Sequence, residues 1–323
     1  MASTCCRFCE TPLTHTFVDL GMSPLSNRYL TEAQAEDHEP FHPLHVYVCE
    51  ECLLVQLPEW VNPDEIFSDY AYFSSYSTSW LAHAERYSQD AIGRYGIDES
   101  SFVVEIASND GYLLRNFVAR EIPVLGIEPA RNVAEVAEQA GIPTISEFFG
   151  TTLADRLVSR GIRADLLIGN NVLAHVPDLR DFVTGLRTLL APGGVVTLEF
   201  PHLLRLMQEN QFDTIYHEHF SYFSLMAASG VLERHGLHVF DVDELPTHGG
   251  SLRIYAAAAA SVQPVTERVE AVIQQERRAG LDVAEGFSTF AARAEACREG
   301  LLEFLERAAV AGQRVVGYGA AAK

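Results

Sequence analysis

Tyr216-His217-Glu218-His219 sets four groups that accept, donate or hold a proton in one tetrapeptide. Imidazole titrates near neutrality, so a histidine here can take a proton from a carbon that a neighbouring carbonyl has made acidic. The oxyanion left behind needs a donor, such as a tyrosine hydroxyl or a second histidine. Glu218 can orient an imidazole or a substrate hydroxyl. The order Y-H-E-H is not H-E-x-x-H, so the segment does not read as a metal site. A further imidazole, His175, follows a short apolar run at 164–169. His202 and His248 fall near the ends of other such runs, and His248, Tyr76 and Ser79 are taken as substrate contacts.

Cysteines supply a second chemistry. Cys6-Arg-Phe-Cys9 and Cys49-Glu-Glu-Cys52 are two C-x2-C pairs with 39 residues between them. Two such knuckles offer four thiolates from two tight turns, the ligand set of a closed, structural zinc site. Such a site would staple a segment of about 60 residues, a size that often needs one. Cys5 gives a C-x3-C alternative. Cys297 lies in a helical stretch and reads as an ordinary residue. His15, His38, His42 and His45 lack the spacing of finger-type ligands.

The elements that must position these groups alternate in type. Residues 64–95 read as an aromatic-rich helix with Tyr70, Tyr72, Phe73, Tyr76 and Trp80 mostly facing a core. Short apolar runs at 101–107, 123–128, 142–146, 164–169 and 195–200 read as buried strands. Helical stretches at 112–120, 130–139 and 178–190 lie between them, and 192–194 (Pro-Gly-Gly) reads as a turn. Runs at 238–243 and 251–257 add two strands. This alternation predicts a doubly wound parallel α/β sheet. Ligands bind such sheets outside the carboxyl ends of the strands, which gathers 105–111, Glu128, 147–149, 170–175 and 199–202 into one crevice.

Glu105-Ile-Ala-Ser-Asn-Asp-Gly111 lacks the G-x-G-x-x-G that lets a pyrophosphate approach the backbone, which speaks against a nicotinamide cofactor. Its acids, with Glu128 ending the next strand, suit a cationic, ribose-bearing ligand without phosphate. S-adenosylmethionine fits that description. The expected contacts are Glu105, Ala107, Asn109, Asp110, Gly111, Glu128, Phe148 and Asn170, with Glu128 accepting ribose hydroxyls. Asp110 could equally cap the next helix.

Composition narrows the classes. The chain has 323 residues, 48% hydrophobic and 21% charged, which is ordinary for a folded protein. A formal charge of −21 argues against tracking a nucleic-acid backbone. No apolar run is long enough to span a membrane, and the start lacks a signal-peptide pattern, so a cytoplasmic protein is expected.

The two knuckles, DYAYFSSYSTSW, VVEIASNDGYLL, GIEPA, NNVLAHVPD, EFPHL, YHEHFSYFS and THGGSLR occur in one order along nearly the whole chain. Together they resemble the zinc-containing sugar C-methyltransferases, which methylate C-3 of nucleotide-linked 4-keto-6-deoxysugars. The resemblance implies a class I methyltransferase core, S-adenosylmethionine as methyl donor and a nucleotide-sugar substrate. It also implies His219 as the base, with Tyr216, Glu218 and His175 transferring protons, stabilising the enolate or holding the sugar; base and donor could be exchanged. Members of that family continue into a C-terminal α/β domain. Here helices near 262–280 and 284–309 lead to a strand and glycine loop at 314–323, so a truncated chain is expected. The expected division is a zinc-binding domain over 1–62, a methyltransferase domain over 63–248 and the opening of a third domain over 249–323. The rival readings are an O- or N-methyltransferase on another small molecule, a nicotinamide-dependent oxidoreductase, which the missing G-x-G-x-x-G and Asp110 oppose, and a non-catalytic remnant.

Overall fold

The computed structural model describes residues 5–27, 30–34, 36, 38–62, 72–261 and 263–317. β1 (His15–Ser23) and β2 (His42–Val48) pair antiparallel, and β3 (Val55–Gln56) extends the sheet beside β2. Leu44, Val46 and Val48 alternate inward along β2, as one buried face requires.

α1 (Thr78–Tyr95) starts where the Ser77 hydroxyl accepts from Trp80 N and stops at Gly96, whose φ of 63° no β-carbon disfavours. It is shorter than the helix expected over 64–95. Residues 63–71, with Tyr70, lie outside the described residues, and 74–76 form a single 3-10 turn. Tyr72 and Tyr76 are 53% and 82% exposed, so the aromatic cluster is not one core stripe. The buried face of α1 is Ala84, Tyr87, Ser88 and Ala91.

Strands and helices then alternate: β4 (Val103–Ile106), α2 (Arg115–Val118), β5 (Val124–Ile127), α3 (Arg131–Gln139), β6 (Thr144–Ile145), α4 (Thr151–Ser159), β7 (Ala164–Asn170), α5 (Leu179–Leu189), β8 (Leu190–Pro201) and α6 (Leu203–Gln208). After β9 (Ser221–Tyr222) and α7 (Leu225–Glu233) come β10 (Leu237–Leu245) and β11 (Ser251–Ala258), then α8 (Glu267–Arg278) and α9 (Thr289–Val310). The large sheet runs β10-β11-β8-β7-β4-β5-β6. β8, β7, β4, β5 and β6 are mutually parallel, and β11 inserts antiparallel between β8 and β10. The sheet is therefore mixed, not wholly parallel, and its order is that of a class I methyltransferase-like fold. β11 is an inner strand, so the sheet continues past residue 248.

Ala164 pairs with Leu190 while Leu166 pairs with Val195, so 191–194 bulge out of the ladder inside β8. Gly193, at φ 81°, permits it. The Pro-Gly-Gly segment is thus a bulge within a strand and not a turn before one.

β9 pairs with β3 and not with the large sheet, completing a small sheet of order β1-β2-β3-β9. The segment directly after His219 is thereby built into the sheet that carries the cysteine knuckles. Residues 314–317 form no strand, and Val315 and Val316 are exposed. The glycine loop expected from 318 onward lies outside the described residues.

Candidate active site

The large sheet changes direction between β4 and β7, and the loops after them open a cavity of about 290 Å³. Ala107, Asn109, Glu128, Phe148, Asn170, His175, Tyr216, His219 and His248 all line it. A second recess of about 520 Å³ lies at the opposite ends of the strands, around Arg94 and Pro192, away from these groups.

The loop after β4 is unusual. Ala107, Asn109 and Gly111 all have left-handed backbones, at φ 55°, 50° and 75°. Only Gly111 adopts this without a steric cost, and a β-carbon there would stand 2.7 Å from Ile142. The strained turn is held from both sides. Asn109 N donates to Glu128 Oε2 at 2.9 Å, and its Oδ1 accepts from Ser74 N at 2.8 Å. Asp110 Oδ2 accepts from Ser75 N at 3.1 Å. Asp110 therefore ties the loop to the 3-10 turn at 74–76 and does not cap α2, whose N-terminal flank is Leu114.

Glu128 accepts one backbone bond on each oxygen, from Asn109 N and from Ala130 N. Each oxygen keeps acceptor capacity toward the cavity. Asn170 Oδ1 is buried with no hydrogen-bond partner, and its residue lines the same cavity. Phe148, 46% exposed, offers a flat apolar wall. Among the described residues the lining is thus rich in acceptors and contains no Lys or Arg. A ligand bearing hydroxyl donors and positive charge fits it. S-adenosylmethionine has a sulfonium, an ammonium and a ribose diol, so these residues suit it.

Glu105 lies beneath this loop, fully buried, and neither carboxyl oxygen has a hydrogen-bond partner. It does not line the cavity. Burial, then the nearby Glu128 and Asp110 carboxylates, hold its carboxyl well above the usual range. The folded chain therefore keeps a proton that the unfolded chain releases near 4.5, and stability falls as pH rises from there toward the folded value. Glu105→Gln should flatten the fall in Tm above pH 4.5, measured by scanning fluorimetry on the ligand-free protein. An unchanged pH slope would contradict this account of Glu105.

The tetrapeptide divides between two surfaces. His219 N donates to Tyr216 O at 3.0 Å, a turn that brings both side chains to the cavity. His219 Nδ1 lies 2.9 Å from Thr214 O, so that nitrogen carries the proton and donates. Nε2 is then the basic nitrogen, and it accepts from the Tyr216 hydroxyl at 2.9 Å. The His175 ring meets the His219 ring edge-on, with centroids 4.7 Å apart. Glu218 turns away: its Oε1 accepts from Ser26 Oγ at 3.0 Å and Asn27 Nδ2 at 2.7 Å. His217 also points to the small sheet, 3.3 Å from His42 O, and burial lowers its pKa.

Of the expected substrate contacts, only His248 reaches the cavity. Tyr76 is exposed and tilted against Phe73, and Ser79 is exposed beside Ser77. Three groups escaped the sequence reading. Trp80 lines the cavity against His248 and Tyr112, although it looked like core. His83 stacks on Trp80 and holds both oxygens of Glu199, at 3.0 and 2.9 Å. Arg253 of β11 pairs with the same carboxylate, and Thr247 donates to it at 3.1 Å. The i, i+3 spacing of Trp80 and His83 was a visible hint; the Glu199–Arg253 partnership had none.

The four knuckle sulfurs lie within 4.8 Å of one another. Cys6–Cys52, Cys9–Cys49 and Cys9–Cys52 are 3.6, 3.4 and 3.6 Å apart. A tetrahedral Zn–S length of about 2.3 Å implies sulfurs about 3.8 Å apart, so the quartet fits zinc with Cys6, Cys9, Cys49 and Cys52 as ligands. The two turns match: Glu10 and Leu53, each following the second cysteine, have φ near 64° and 58°. Each knuckle closes through the first cysteine's carbonyl, which accepts from Glu10 N and Leu53 N respectively. Cys5 and Cys297 are exposed and stand outside the quartet.

Comparison with known proteins agrees with this layout. A zinc binding domain model matches residues 6–67, a methyltransferase domain model matches 80–242, and a C-methyltransferase C-terminal domain model matches 246–323. The C-methyltransferase NovU of Streptomyces niveus is 36% identical over 318 residues, covering 98% of this chain and 76% of that protein. The chain belongs to the S-adenosylmethionine-dependent C-methyltransferases. A ubiquinone biosynthesis O-methyltransferase of Bartonella tribocorum is 23% identical over 141 residues, or 43% of this chain and 57% of that protein. Among solved structures, an S-adenosylmethionine-dependent methyltransferase of Clostridium acetobutylicum aligns with a TM-score of 0.46 at 11% identity, over 56% of this chain and 92% of that one. Among the described residues no helix of this C-methyltransferase is long and apolar enough to cross a membrane.

Proposed function

We propose that this C-methyltransferase methylates C-3 of a nucleotide-linked 4-keto-6-deoxysugar. The observation that carries the reading is the contact between His219 Nε2 and the Tyr216 hydroxyl in the wall of a cavity that is also lined by the acceptors of Glu128 and Asn170. An O- or N-methyltransferase needs one base near a heteroatom. A base and a hydroxyl donor side by side suit a carbon beside a ketone, where one takes the proton and the other meets the oxygen's developing charge. His219 Nε2 takes the proton from C-3. Tyr216 donates to the ketone oxygen, and His175 packs the base from its edge. When bound, S-adenosylmethionine would supply an electrophilic methyl carbon to the enolate carbon left at C-3, its S–CH3 bond breaking so that the sulfur leaves as a neutral thioether. Glu128, Asn109, Asn170 and Phe148 would hold it, with Glu128 toward the ribose hydroxyls. His248 and Trp80 form the sugar-side wall. Glu218 fixes the turn through Ser26 and Asn27. A thiolate zinc site suits a reducing compartment, in keeping with a cytoplasmic enzyme.

The test is a panel of nucleotide 4-keto-6-deoxysugars incubated with the protein and S-adenosylmethionine. Carbon–proton correlation NMR then locates the added methyl. Methyl at C-3 supports the reading; methyl on oxygen or nitrogen overturns it.

A further inference from the structure

We infer that Arg7, inside the first cysteine knuckle, is a positioning residue that sets His219 and His175 against each other. The inference rests on the reading of those histidines as active-site groups. Arg7 Nη2 donates to Leu57 O at 2.5 Å and Nη1 to Pro177 O at 2.9 Å, and the guanidinium lies over the Phe220 ring at 5.3 Å. Those partners belong to three segments. Leu57 ends the β3 side of the small sheet, Pro177 follows His175 by two residues, and Phe220 follows His219 directly. The backbone closes the same ring: Leu57 N donates to Phe220 O at 3.0 Å, and Phe220 N to Ala174 O at 2.7 Å. One planar fork therefore fixes both histidine segments relative to each other. Arg serves this better than Lys, because its donors diverge in a rigid plane.

Among the described residues no carboxylate forms an ion pair with Arg7, and its Nε is buried without a partner. Glu59 and Asp178 supply negative charge around it, and the knuckle would add more: a zinc ion held by four thiolates would carry a net charge of −2, and Arg7 lies between two of those ligands in sequence. Its backbone N donates to Gln56 Oε1 at 2.9 Å, while Gln56 Nε2 donates to Cys6 Sγ at 3.1 Å. Gln56 in turn pairs with Ser221 of β9. The metal module thus connects to the active site through one buried side chain and one strand pair.

Arg7→Lys keeps the charge without the fork, and Arg7→Met keeps the stem without the charge. Each is compared with the parent for zinc content by elemental analysis, S-adenosylmethionine affinity by calorimetry, and imidazole ¹⁵N shifts of His175 and His219. In both variants zinc stays stoichiometric and cofactor affinity changes by less than about twofold, because Arg7 does not line the cavity that Glu128 and Asn170 line. Both histidine signals shift or split, and turnover falls by about 10²-fold, the scale expected of a displacement near 1 Å. Unchanged imidazole signals in both variants, with zinc retained, overturn the inference. Loss of zinc from both also overturns it, because Arg7 then serves the metal site alone. The imidazole readout needs no sugar, so failure of the substrate reading shows separately, as absent turnover in the parent.

Discussion

His219→Asn slows methyl transfer by about 10²–10⁴-fold, the usual contribution of a positioned general base. Asparagine can still donate toward Thr214 O or accept from Tyr216, so the turn at 216–219 survives. What it lacks is a nitrogen able to take a proton at neutral pH. The network leaves that capacity only at Nε2, since Nδ1 is committed to Thr214 O at 2.9 Å. Affinity for S-adenosylmethionine stays at the parent value, because none of the acceptors at Glu128 or Asn170 is touched. Single-turnover kinetics with calorimetry on the same sample separates the two effects. A loss of cofactor affinity matching the loss of rate would place His219 in cofactor binding instead. Tyr216→Phe is the control for the exchanged assignment: it retains the base and removes the donor, so a residual rate above that of His219→Asn is expected.

Cys49→Ser has the second large effect. Structural zinc contributes an apparent 10–16 kcal/mol to folding in small zinc domains, as much as the whole stability of an ordinary domain, about 5–15 kcal/mol. Two of the small sheet's four strands, β3 and β9, are two residues each, so few ladder bonds hold them. Bound zinc should fall from stoichiometric to near zero by elemental analysis. The amide signals of β1, β2, β3 and β9 should lose dispersion, while those of β4, β5 and β7 remain. Turnover should vanish with the sheet, because β9 begins two residues after His219. Full zinc content in Cys49→Ser would show that the ligand set is wrong.

Much of this arrangement was legible because its signals are local. VLGI and LLIG are apolar on both faces, as strands covered by helices on two sides must be, and VVEI departs from this only at Glu105. Two C-x2-C turns announce a thiolate site by spacing alone. Tyr216 and His219 stood out because proton-accepting and proton-donating side chains fall within one tetrapeptide. The rest depends on contacts between segments far apart in the chain. Glu218 meets Asn27 across 191 positions, and no periodicity marks either residue. β9 is too short to carry an alternating pattern, so its place in the small sheet was invisible. β11 reads as a plain apolar strand, and nothing in it reveals its antiparallel insertion beside β8. Tyr76 and Ser79 read as pocket residues because they are polar within an aromatic stretch. The turn at 74–76 directs Tyr76 outward, and Ser79 lies on the solvent face of α1.

The most direct test is hydrogen exchange at the substrate carbon with no methyl donor present. The protein is incubated in D₂O with a nucleotide 4-keto-6-deoxysugar and S-adenosylhomocysteine, and deuterium is located by NMR. Deuterium entering at C-3, and failing to do so with His219→Asn, is the predicted result. Methyl transfer to the same sugar in a parallel reaction, with no exchange at any carbon, would contradict proton removal from carbon and with it the account of this site.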